Sequence, residues 1–396
     1  MSTGFGVRAV TIAGFRSARS VSFAPGPVCA LVGGPSVGKS NLLEAIWRLL
    51  QGGAPSPGPE DVSSDGAQDA IAIRAAMAGG EELVLEVGPA GAASTSGGPV
   101  PVLFLPAALR SGDLLAHDGM SETALRLASN YFARANGRSP GGSAGKLLDG
   151  LERLCEDCVQ GLVLIIEEPE LFLRPQAQRY LYRRLRAYAD AGNQVLYSTH
   201  SPAFLNVGRL DELALVEHRG AEGTVVIQPQ PLEADEAFRA LSELDAERAE
   251  LLLAGAALLV EGRTEKLSLP FVFRALGHDA DREAITIVDC GGKPNMPLFI
   301  RICHAARVPC VVLHDRDALP GRRPRHAESA LNAEIAGLAG PRNTIELAPD
   351  FEGVAGLQGS HHKPARAWQE FSSRGPDRVP GALAEAVKRA VALARA

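Results

Sequence analysis

Aromatic residues and long apolar runs are both in short supply in this sequence. Phe, Tyr and Trp make up 5% of its 396 residues, and 22% are charged. The longest apolar run, residues 251–260, falls short of the roughly 20 residues that a membrane-spanning helix needs. The N-terminal segment also lacks the charged-then-apolar pattern of a secretion signal. We therefore expect a cytoplasmic protein without a membrane partner.

Cysteine is scarce, and its spacing gives little support to a zinc site. The chain has 6 cysteines. Cys155 and Cys158 form a C-x-x-C pair, but this pair lies in a helical pattern and no second pair completes a four-cysteine site. We expect reduced thiols in the core or on the surface.

Positive charge is not in excess either, because the formal net charge is -6. The phosphate backbone supplies most of the affinity of proteins for nucleic acids, so a polycation would have been a direct sign of such a partner. Any binding of nucleic acid by this chain must come from local basic patches, helped by bound metal.

The chain is long enough for two domains, and strands alternate with helices in both halves, which favours parallel sheets. The apolar runs that have the character of buried strands are residues 28–32, 162–166, 194–198, 256–260, 284–289 and 309–313. An acidic helical stretch at residues 232–253 is typical of a connector. We predict two α/β domains, at residues 1–235 and 236–396.

A Gly-rich turn between a predicted strand and a predicted helix carries the first chemical signal. Residues 33–40 match the pattern G-x-x-x-x-G-K-[ST], in which Gly33 and Gly38 are the glycines. Backbone N–H groups of such a loop cradle phosphates. Lys39 would then reach the β- and γ-phosphates, and Ser40 would hold Mg²⁺. The pattern predicts an ATP site.

Two adjacent carboxylates follow the buried run at residues 162–166. Open α/β sheets bind ligands at the carboxyl ends of their strands, where Glu167 and Glu168 would lie. Glu167 would support magnesium through water, and Glu168 would orient or activate the water that attacks ATP. A Glu-Glu pair alone is often only the polar end of a strand, but the upstream P-loop favours a functional pair.

The order P-loop, Glu-Glu, then a strand followed by His200 resembles ABC-type ATPases, in which that His contacts the γ-phosphate. Residues 166–175 are similar to the segment I-E-E-P-E-x-x-L-H-P of AAA/ABC-like ATPases of DNA repair and phage defence. Arg174 stands where those proteins usually have His, and Pro35 and Val37 depart from the usual P-loop residues.

The resemblance to ABC-type ATPases also implies a homodimer, because in that class ATP is clamped between two subunits. A Ser/Gly signature of one subunit completes the site of the other. The best candidate is Ser143 with Gly145, in a predicted loop at residues 137–145. A plain flexible loop is the alternative interpretation of this segment.

Four further carboxylates follow two predicted strands of the second half. Glu261 ends one strand, and Glu265 follows four residues later; Asp315 and Asp317 form a D-x-D after another. Parallel strand ends meet on one edge of a sheet, so these side chains would converge. Unpaired carboxylates repel one another, and bound magnesium resolves the repulsion. The pattern predicts a metal site that activates water for attack on a phosphodiester.

The ordered carboxylates resemble the Toprim domain of topoisomerases, primases and OLD (overcoming lysogenization defect) nucleases. An ABC-type P-loop ATPase domain followed by a Toprim domain is similar to OLD nucleases in particular. The resemblance implies a further metal ligand at Glu352 and a basic catalytic residue at Lys363. Many members carry a large helical dimerisation insertion, for which the spacing between residues 40 and 162 leaves little room.

The combined pattern predicts an ATP-hydrolysing, metal-dependent DNA endonuclease or exonuclease that acts in phage defence or DNA repair. Its cofactors would be ATP and Mg²⁺, with Mn²⁺ as an alternative metal. Its partners would be DNA, a second copy of the chain, and a helicase-like or defence protein. A basic loop at residues 322–326 would contact DNA or be merely solvated. The rival hypothesis is an ATP-driven sensor or scaffold whose Toprim domain binds without cutting.

Overall fold

The computed structural model describes residues 5–53, 56–63, 70–88, 91–107, 142–157, 159–243, 246–317, 326–357 and 363–395. The chain forms two compact units, Met1–Pro229 and Gln230–Ala396. The boundary predicted after residue 235 lies inside the helix Ala234–Glu243, and the observed division precedes that helix. None of the helices in the described ranges is long and apolar enough to cross a membrane.

The first unit contains eleven strands and three α-helices within the described ranges. The strands are β1 (Val7–Phe15), β2 (Ala18–Phe23), β3 (Val28–Val32), β4 (Ile71–Met77), β5 (Glu82–Val87), β6 (Ala93–Ser96), β7 (Val102–Leu105), β8 (Val163–Glu167), β9 (Gln194–Thr199), β10 (Leu213–His218) and β11 (Thr224–Ile227). The helices are α1 (Lys39–Leu50), α2 (Gly142–Glu156) and α3 (Pro175–Asp190).

These strands form two sheets. The order β2-β1-β4-β5-β6 is antiparallel throughout, and the order β11-β10-β3-β9-β8-β7 is parallel except for β11 at its edge. Every residue of β3 is buried, as expected of a central parallel strand that is covered on both faces. The carboxyl ends of β3, β9 and β8 therefore lie side by side.

Helix α1 packs into a core shared with both sheets. Trp47 is 1% exposed, and its ring centroid lies 5.2 Å from that of Phe104 on β7. The same apolar cluster includes Phe15 of β1 and Ile165 of β8. This packing fixes the start of α1, and with it the Gly-rich turn, against the strand ends.

One strand of this unit was not predicted, and one predicted loop was too long. Strand β6 follows β5 in a segment of small residues and pairs with it. Its four residues are small or polar and exposed, so they give no apolar alternation from which a strand could be predicted. The loop predicted at residues 137–145 ends earlier, because α2 begins at Gly142. Ser143 and Gly145 thus lie in the first turn of a helix.

The second unit is built on four parallel strands. In sheet order they are β13 (Ile285–Asp289), β12 (Ala256–Val260), β14 (Cys310–Asp315) and β15 (Thr344–Leu347). Its helices are α4 (Ala234–Glu243), α5 (Ala246–Ala249), α6 (Arg263–Ala275), α7 (Met296–Ala305), α8 (His326–Ala339), α9 (Phe351–Ala355), α10 (Lys363–Ser372) and α11 (Gly381–Ala394).

The core of the second unit is separate from that of the first. Leu258 and Val311 from the two central strands pack with Phe273 of α6 and with Val387 of α11, and all four are 0% exposed. All five residues of β12 are buried, which matches the apolar run of the sequence. The carboxyl ends of β12 and β14 lie next to each other because these strands pair directly.

Candidate functional sites

The Gly-rich turn follows β3 and leads directly into α1. A side chain at Gly33 would place its first carbon 2.1 Å from Val216 O, and one at Gly38 would come 2.2 Å from Thr224 Oγ1. Gly38 also has φ 108°, a conformation that other residues rarely adopt. Both predicted glycines are therefore required by the close approach of β10 and β11.

Lys39 is buried at the start of α1, at 6% exposure. Its Nζ donates to Gly33 O at 2.8 Å and to Gly34 O at 2.6 Å, so the ammonium group is held against the loop. Burial lowers the pKa of Lys39, and the nearby carboxylates of Glu168 and Glu170 partly offset this effect. The lysine and the helix N-terminus together make a cationic site suited to phosphates. Ser40 is exposed beside it.

Glu168 and His200 come together at the ends of neighbouring strands. His200 Nε2 lies 3.7 Å from Glu168 Oε1. The Glu168 N–H donates to Ser198 O at 3.0 Å, which joins the two strand ends. Glu168 has φ 43°, a left-handed conformation that is uncommon outside glycine and is concentrated at functional sites. Glu167 is the last residue of β8, and its Oε2 accepts a hydrogen bond from the Ala107 N–H at 3.0 Å.

Glu170 was not predicted as a site residue, although it lies inside the segment that carried the resemblance. Its Oε1 accepts a hydrogen bond from the His200 N–H at 2.7 Å. Its other oxygen is buried without a hydrogen-bond partner among the described residues. Glu170 thus links the turn after β8 to the turn after β9. In the sequence, only its place in the segment similar to AAA/ABC-like ATPases indicated a role for it.

The predicted signature, Ser143 with Gly145, lies in the first turn of α2. The N-terminus of a helix is a place where backbone N–H groups attract anions. The side-chain surroundings of these residues fall outside what the structure describes. Their role in completing a nucleotide site therefore stays a prediction.

The second cluster forms where β12 and β14 end. The Asp315 N–H donates to Glu261 Oε1 at 2.7 Å, and Asp315 Oδ1 accepts from the Phe351 N–H at 2.7 Å. Helix α6 begins at Arg263, which places Glu265 in its first turn at 7% exposure. Asp317 follows with φ 55°.

The clustered carboxylates repel one another. Burial, together with the negative charges of Glu261, Glu265 and Asp317, raises the pKa of Asp315 to about 8. Burial likewise raises the pKa of Glu265 to about 7, with contributions from Glu261 and Glu352. The predicted side chains therefore share one electrostatic environment, in which additional positive charge would be stabilising.

Lys293 supplies part of that positive charge, and its role was not predicted. It follows β13 and is 6% exposed. Its Nζ donates to Asp315 O at 2.5 Å and to Asp317 Oδ2, and it lies 3.6 Å from Glu261 Oε1. In the sequence, only the Gly-Gly-Lys segment that follows β13 indicated a role for Lys293.

Glu352 and Lys363 lie at the same edge of the sheet. Glu352 is in the first turn of α9, and Lys363 begins α10. Lys363 Nζ lies 2.8 Å from Glu352 Oε1, and this hydrogen bond raises the pKa of Lys363. Asp315 also contributes to that increase, so the lysine lies within electrostatic reach of the strand-end cluster.

Whether these residues fit a metal ion depends on their chemistry and on their spacing. Among the described residues, no three His, Cys, Asp or Glu side chains are grouped closely enough to hold a metal. The donors are nevertheless hard carboxylate oxygens in an environment short of positive charge, which is the set that Mg²⁺ and similar cations prefer. The donor set fits a divalent cation.

The basic loop predicted at residues 322–326 lies outside the described residues except for His326, the first residue of α8.

Two family models match the chain, one for each type of domain. Residues 252–317 match "Overcoming lysogenization defect protein-like, TOPRIM domain". The second unit carries a TOPRIM domain of the OLD type. Residues 146–206 match "AAA domain, putative AbiEii toxin, Type IV TA system". The predicted resemblance to OLD proteins and the predicted order of an ATPase domain and a Toprim domain are confirmed.

The curated relatives include OLD nucleases. One from Thermus scotoductus is 36% identical over 241 residues, which cover 56% of this chain and 46% of that protein. The Old nuclease of Escherichia phage P2 is 28% identical over 164 residues, or 40% of this chain and 28% of that protein. The chain spans less than half the length of each relative. Domains of these two types imply the use of a nucleotide and of a divalent metal.

Similar solved structures include an SMC head domain and a region of an OLD protein. The SMC head domain from Thermotoga maritima has a TM-score of 0.40 and 17% identity, and it covers 57% of this chain and 99% of that one. The C-terminal region of the Burkholderia pseudomallei OLD protein has a TM-score of 0.31 and 16% identity, with 36% and 99% covered.

Proposed function

We propose that this chain is an ATP-binding and ATP-hydrolysing DNA nuclease of the OLD family whose cutting depends on a divalent metal. The observation that carries the proposal is the direct link between two strand ends, in which the Asp315 N–H donates to Glu261 Oε1 at 2.7 Å. This link brings the carboxylates of β12 and β14 to one place, as hydrolysis of a phosphodiester requires. The OLD nucleases among its relatives support the same activity.

The nuclease site would use Mg²⁺, with Mn²⁺ as an alternative. The residues that would hold the metal share carboxylate oxygens near the strand ends: Glu261, Glu265, Asp315, Asp317 and Glu352. A bound divalent metal would supply activation of water and stabilisation of the leaving oxygen. Lys363 would offer its ammonium group to the charge that develops on the phosphate, and Lys293 would keep Asp317 and Glu261 in place.

The nucleotide site would bind ATP with Mg²⁺ at the ends of β3, β8 and β9. Lys39 would neutralise the phosphates, and Ser40 with Glu167 would support the metal. Glu168 would orient the attacking water, because it lies at a strand end beside His200, which would contact the γ-phosphate. In this proposal Ser143 and Gly145 of a second copy complete the site, so the active form is a homodimer.

The biological role follows from the same resemblance. We place the protein in phage defence or DNA repair, with DNA as its substrate and a helicase-like or defence protein as its partner. Its location would be the cytoplasm, where DNA and ATP are both present. The ATP-dependent domain would couple nucleotide binding to the assembly of copies on DNA.

A sensor or scaffold that binds without cutting is the second candidate, and one observation favours it. Lys293 is paired with Asp317 and Glu261, and no three described carboxylates are grouped as a metal site. A non-cutting protein would keep this ion-paired arrangement permanently. A nuclease must instead exchange part of it for a bound metal.

Nicking of supercoiled plasmid by the full chain with Mg²⁺ separates the two candidates. We expect conversion to open circles that stops with a chelator and in the variant Asp315→Ala. The matched control is Glu385→Gln, a half-exposed acid of α11 that pairs with Arg389. It should nick like the wild type. Plasmid that stays supercoiled with Mg²⁺ and with Mn²⁺ would support the sensor instead.

A further inference from the structure

The chain has 2 tryptophans, and they lie in opposite environments. Trp47 is 1% exposed in the core of the first unit, whereas Trp368 on α10 is 51% exposed. A large aromatic side chain that remains half exposed is an unusual use of a scarce residue type. Exposed aromatic residues of this kind are frequent in binding sites.

Trp368 belongs to a small aromatic surface shared by α10 and α6. Its ring centroid lies 6.1 Å from that of Phe271, with the planes at 81°, so the Trp368 ring is supported from the side. The guanidinium group of Arg274 lies 4.6 Å from the centroid of the Phe271 ring. Leu267, one turn before Phe271 on the same face of α6, is 45% exposed.

Both helices begin at the carboxylate cluster. Glu265 lies in the first turn of α6, and Lys363 is the first residue of α10. At about 1.5 Å per residue, Phe271 and Trp368 lie roughly 8–9 Å along their helices from these two residues. That separation corresponds to about two or three nucleotides at the ~3.4 Å rise of a DNA strand.

The charges around this surface suit a polyanion on one side only. Arg263 is exposed at the start of the same face of α6, and no described residue forms an ion pair with Arg263 or Arg274. The other flank of α6 borders a pocket lined by four acids, Glu247, Glu250, Asp279 and Asp281, and by two bases, Lys266 and Arg274, so that acids outnumber bases there. A DNA strand would therefore lie toward Trp368, because the acidic flank repels phosphates.

We propose that Trp368, supported by Phe271, stacks on an unpaired base of a DNA strand that leads away from the carboxylate cluster. Arg263 contacts a phosphate at the end of this surface that lies nearer the carboxylate cluster. The inference rests on the proposed nuclease function. It narrows the substrate of that nuclease to DNA that has single-stranded or frayed bases within a few nucleotides of the cut. A base inside an intact duplex has both faces covered by its neighbours and cannot stack on a side chain.

Tryptophan emission tests the stacking directly, because Trp47 is buried and contributes a constant background. The full chain is titrated in a chelating buffer with a single-stranded oligonucleotide and with a blunt duplex of the same sequence. We expect the single strand to quench the emission and the duplex to leave it nearly unchanged. Quenching by both to the same extent, or binding of the single strand without quenching, would overturn the proposal.

Three variants identify the ring as the contact. Trp368→Leu should lose the quenching and weaken binding of the single strand by about 10-fold, as measured by fluorescence anisotropy, in line with loss of one stacked base. Trp368→Phe should restore most of the affinity, since it keeps an aromatic face. Phe238→Leu changes a 73% exposed aromatic residue elsewhere in the unit and should bind like the wild type.

The outcomes separate this inference from the proposed nuclease function. Quenching and binding are measured without metal, so they stand even if the plasmid is never nicked. Nicking by Trp368→Leu at the wild-type rate, together with unchanged binding of single strands, would remove the stacking site and leave the nuclease in place. A change in oligomeric state of Trp368→Leu without a change in DNA binding would assign this surface to a second copy of the chain and overturn the proposal.

Discussion

Lys293 is the residue that decides how the carboxylate cluster is arranged in this structure. Its ammonium group contacts Asp317 and the Asp315 carbonyl and lies close to Glu261. A buried ammonium costs free energy unless it is paired, and buried carboxylates have the same requirement. The lysine and the carboxylates therefore stabilise each other, and a divalent cation would take over part of this compensation.

Replacing Asp315 or Lys363 by Ala should impair plasmid nicking in different ways. Asp315→Ala removes a proposed metal ligand, so nicking should fall and should recover in part at high Mg²⁺ or Mn²⁺. Lys363→Ala removes the cation that we propose for the reacting phosphate, so the rate should fall roughly 10- to 1000-fold, as other electrostatic contributions do. Extra metal should not rescue it.

Plasmid nicking across a metal titration measures both variants of the cluster. The matched control is Lys388→Ala, which removes an exposed lysine of α11 and should nick normally. If Lys363→Ala nicks plasmid at the wild-type rate, the role of Lys363 is only structural, as the ion-pair partner of Glu352. That result would leave the carboxylate assignment intact.

Glu168 and Lys39 should also have separable effects in the nucleotide site. Lys39→Ala removes the positive charge held against the Gly-rich turn, so nucleotide binding should be lost. Glu168→Gln keeps that charge and the shape of the turn, so the variant should bind ATP but hydrolyse it at least about 100-fold more slowly, the scale of a general base. Equilibrium binding and phosphate release measure the two steps. If Glu168→Gln hydrolyses ATP at the wild-type rate, a side chain other than Glu168 orients the attacking water.

Most of the elements could be predicted because buried parallel strands have a simple signature. The runs that became β3, β8, β12 and β14 are continuous apolar segments, and the polar residues after them are the candidate site residues. The edge strand β6 has no such signature, since all of its residues are exposed. Periodicity reports burial, and an exposed strand held mainly by backbone hydrogen bonds leaves no periodic trace.

Two contacts within the sites could not be predicted because they depend on which strands are neighbours. Lys293 reaches the cluster only because β13 pairs with β12, so that its following turn lies beside Glu261. Glu170 reaches His200 because β8 pairs with β9. Strand order is a property of the whole sheet, whereas each motif reports only on its own strand.

An ion-paired cluster connects the short turn at Pro59–Asp61 to α1 and to the turn after β1. Asp61 is 1% exposed and accepts hydrogen bonds from Arg16 and Arg48, both at 2.7 Å. Burial alone would raise the pKa of Asp61, but the Gly58 N–H and the two guanidinium groups outweigh it and hold the pKa below its ordinary value of 3.8. The ionised form is thus favoured in the folded state.

The charge of Asp61 should stabilise the first unit at neutral pH. Because the pKa is lowered by folding, this stabilisation is complete above the unfolded-state value and is lost as pH falls through the folded-state value. Asp61→Asn should destabilise the protein by about 2 kcal/mol near pH 7, because it weakens two charged hydrogen bonds while Glu44 still pairs with both arginines. Chemical unfolding across pH measures this difference, which should shrink toward acid pH. If the difference in unfolding free energy between the two proteins does not change with pH, the packing of the Asp61 side chain rather than its charge stabilises the unit.

At the scale of the whole molecule, each proposed activity has its own core. The P-loop and Glu168 belong to a unit whose apolar cluster centres on α1, and the carboxylate cluster belongs to a unit with a separate apolar cluster around β12 and β14. The family models match one segment in each unit. We therefore expect each site to fold when the other is altered.

This separation predicts that loss of nucleotide binding leaves part of the nuclease activity. Lys39→Ala alters a loop of the first unit and changes no residue within Gln230–Ala396. The variant should keep measurable Mg²⁺-dependent nicking of plasmid, while its ATP hydrolysis is lost. The double variant with Asp315→Ala should nick no more than Asp315→Ala alone, which shows that the residual cutting comes from the carboxylate cluster. Complete loss of nicking in a Lys39→Ala protein that unfolds at the wild-type temperature would mean that nucleotide binding is obligatory for assembling the nuclease site.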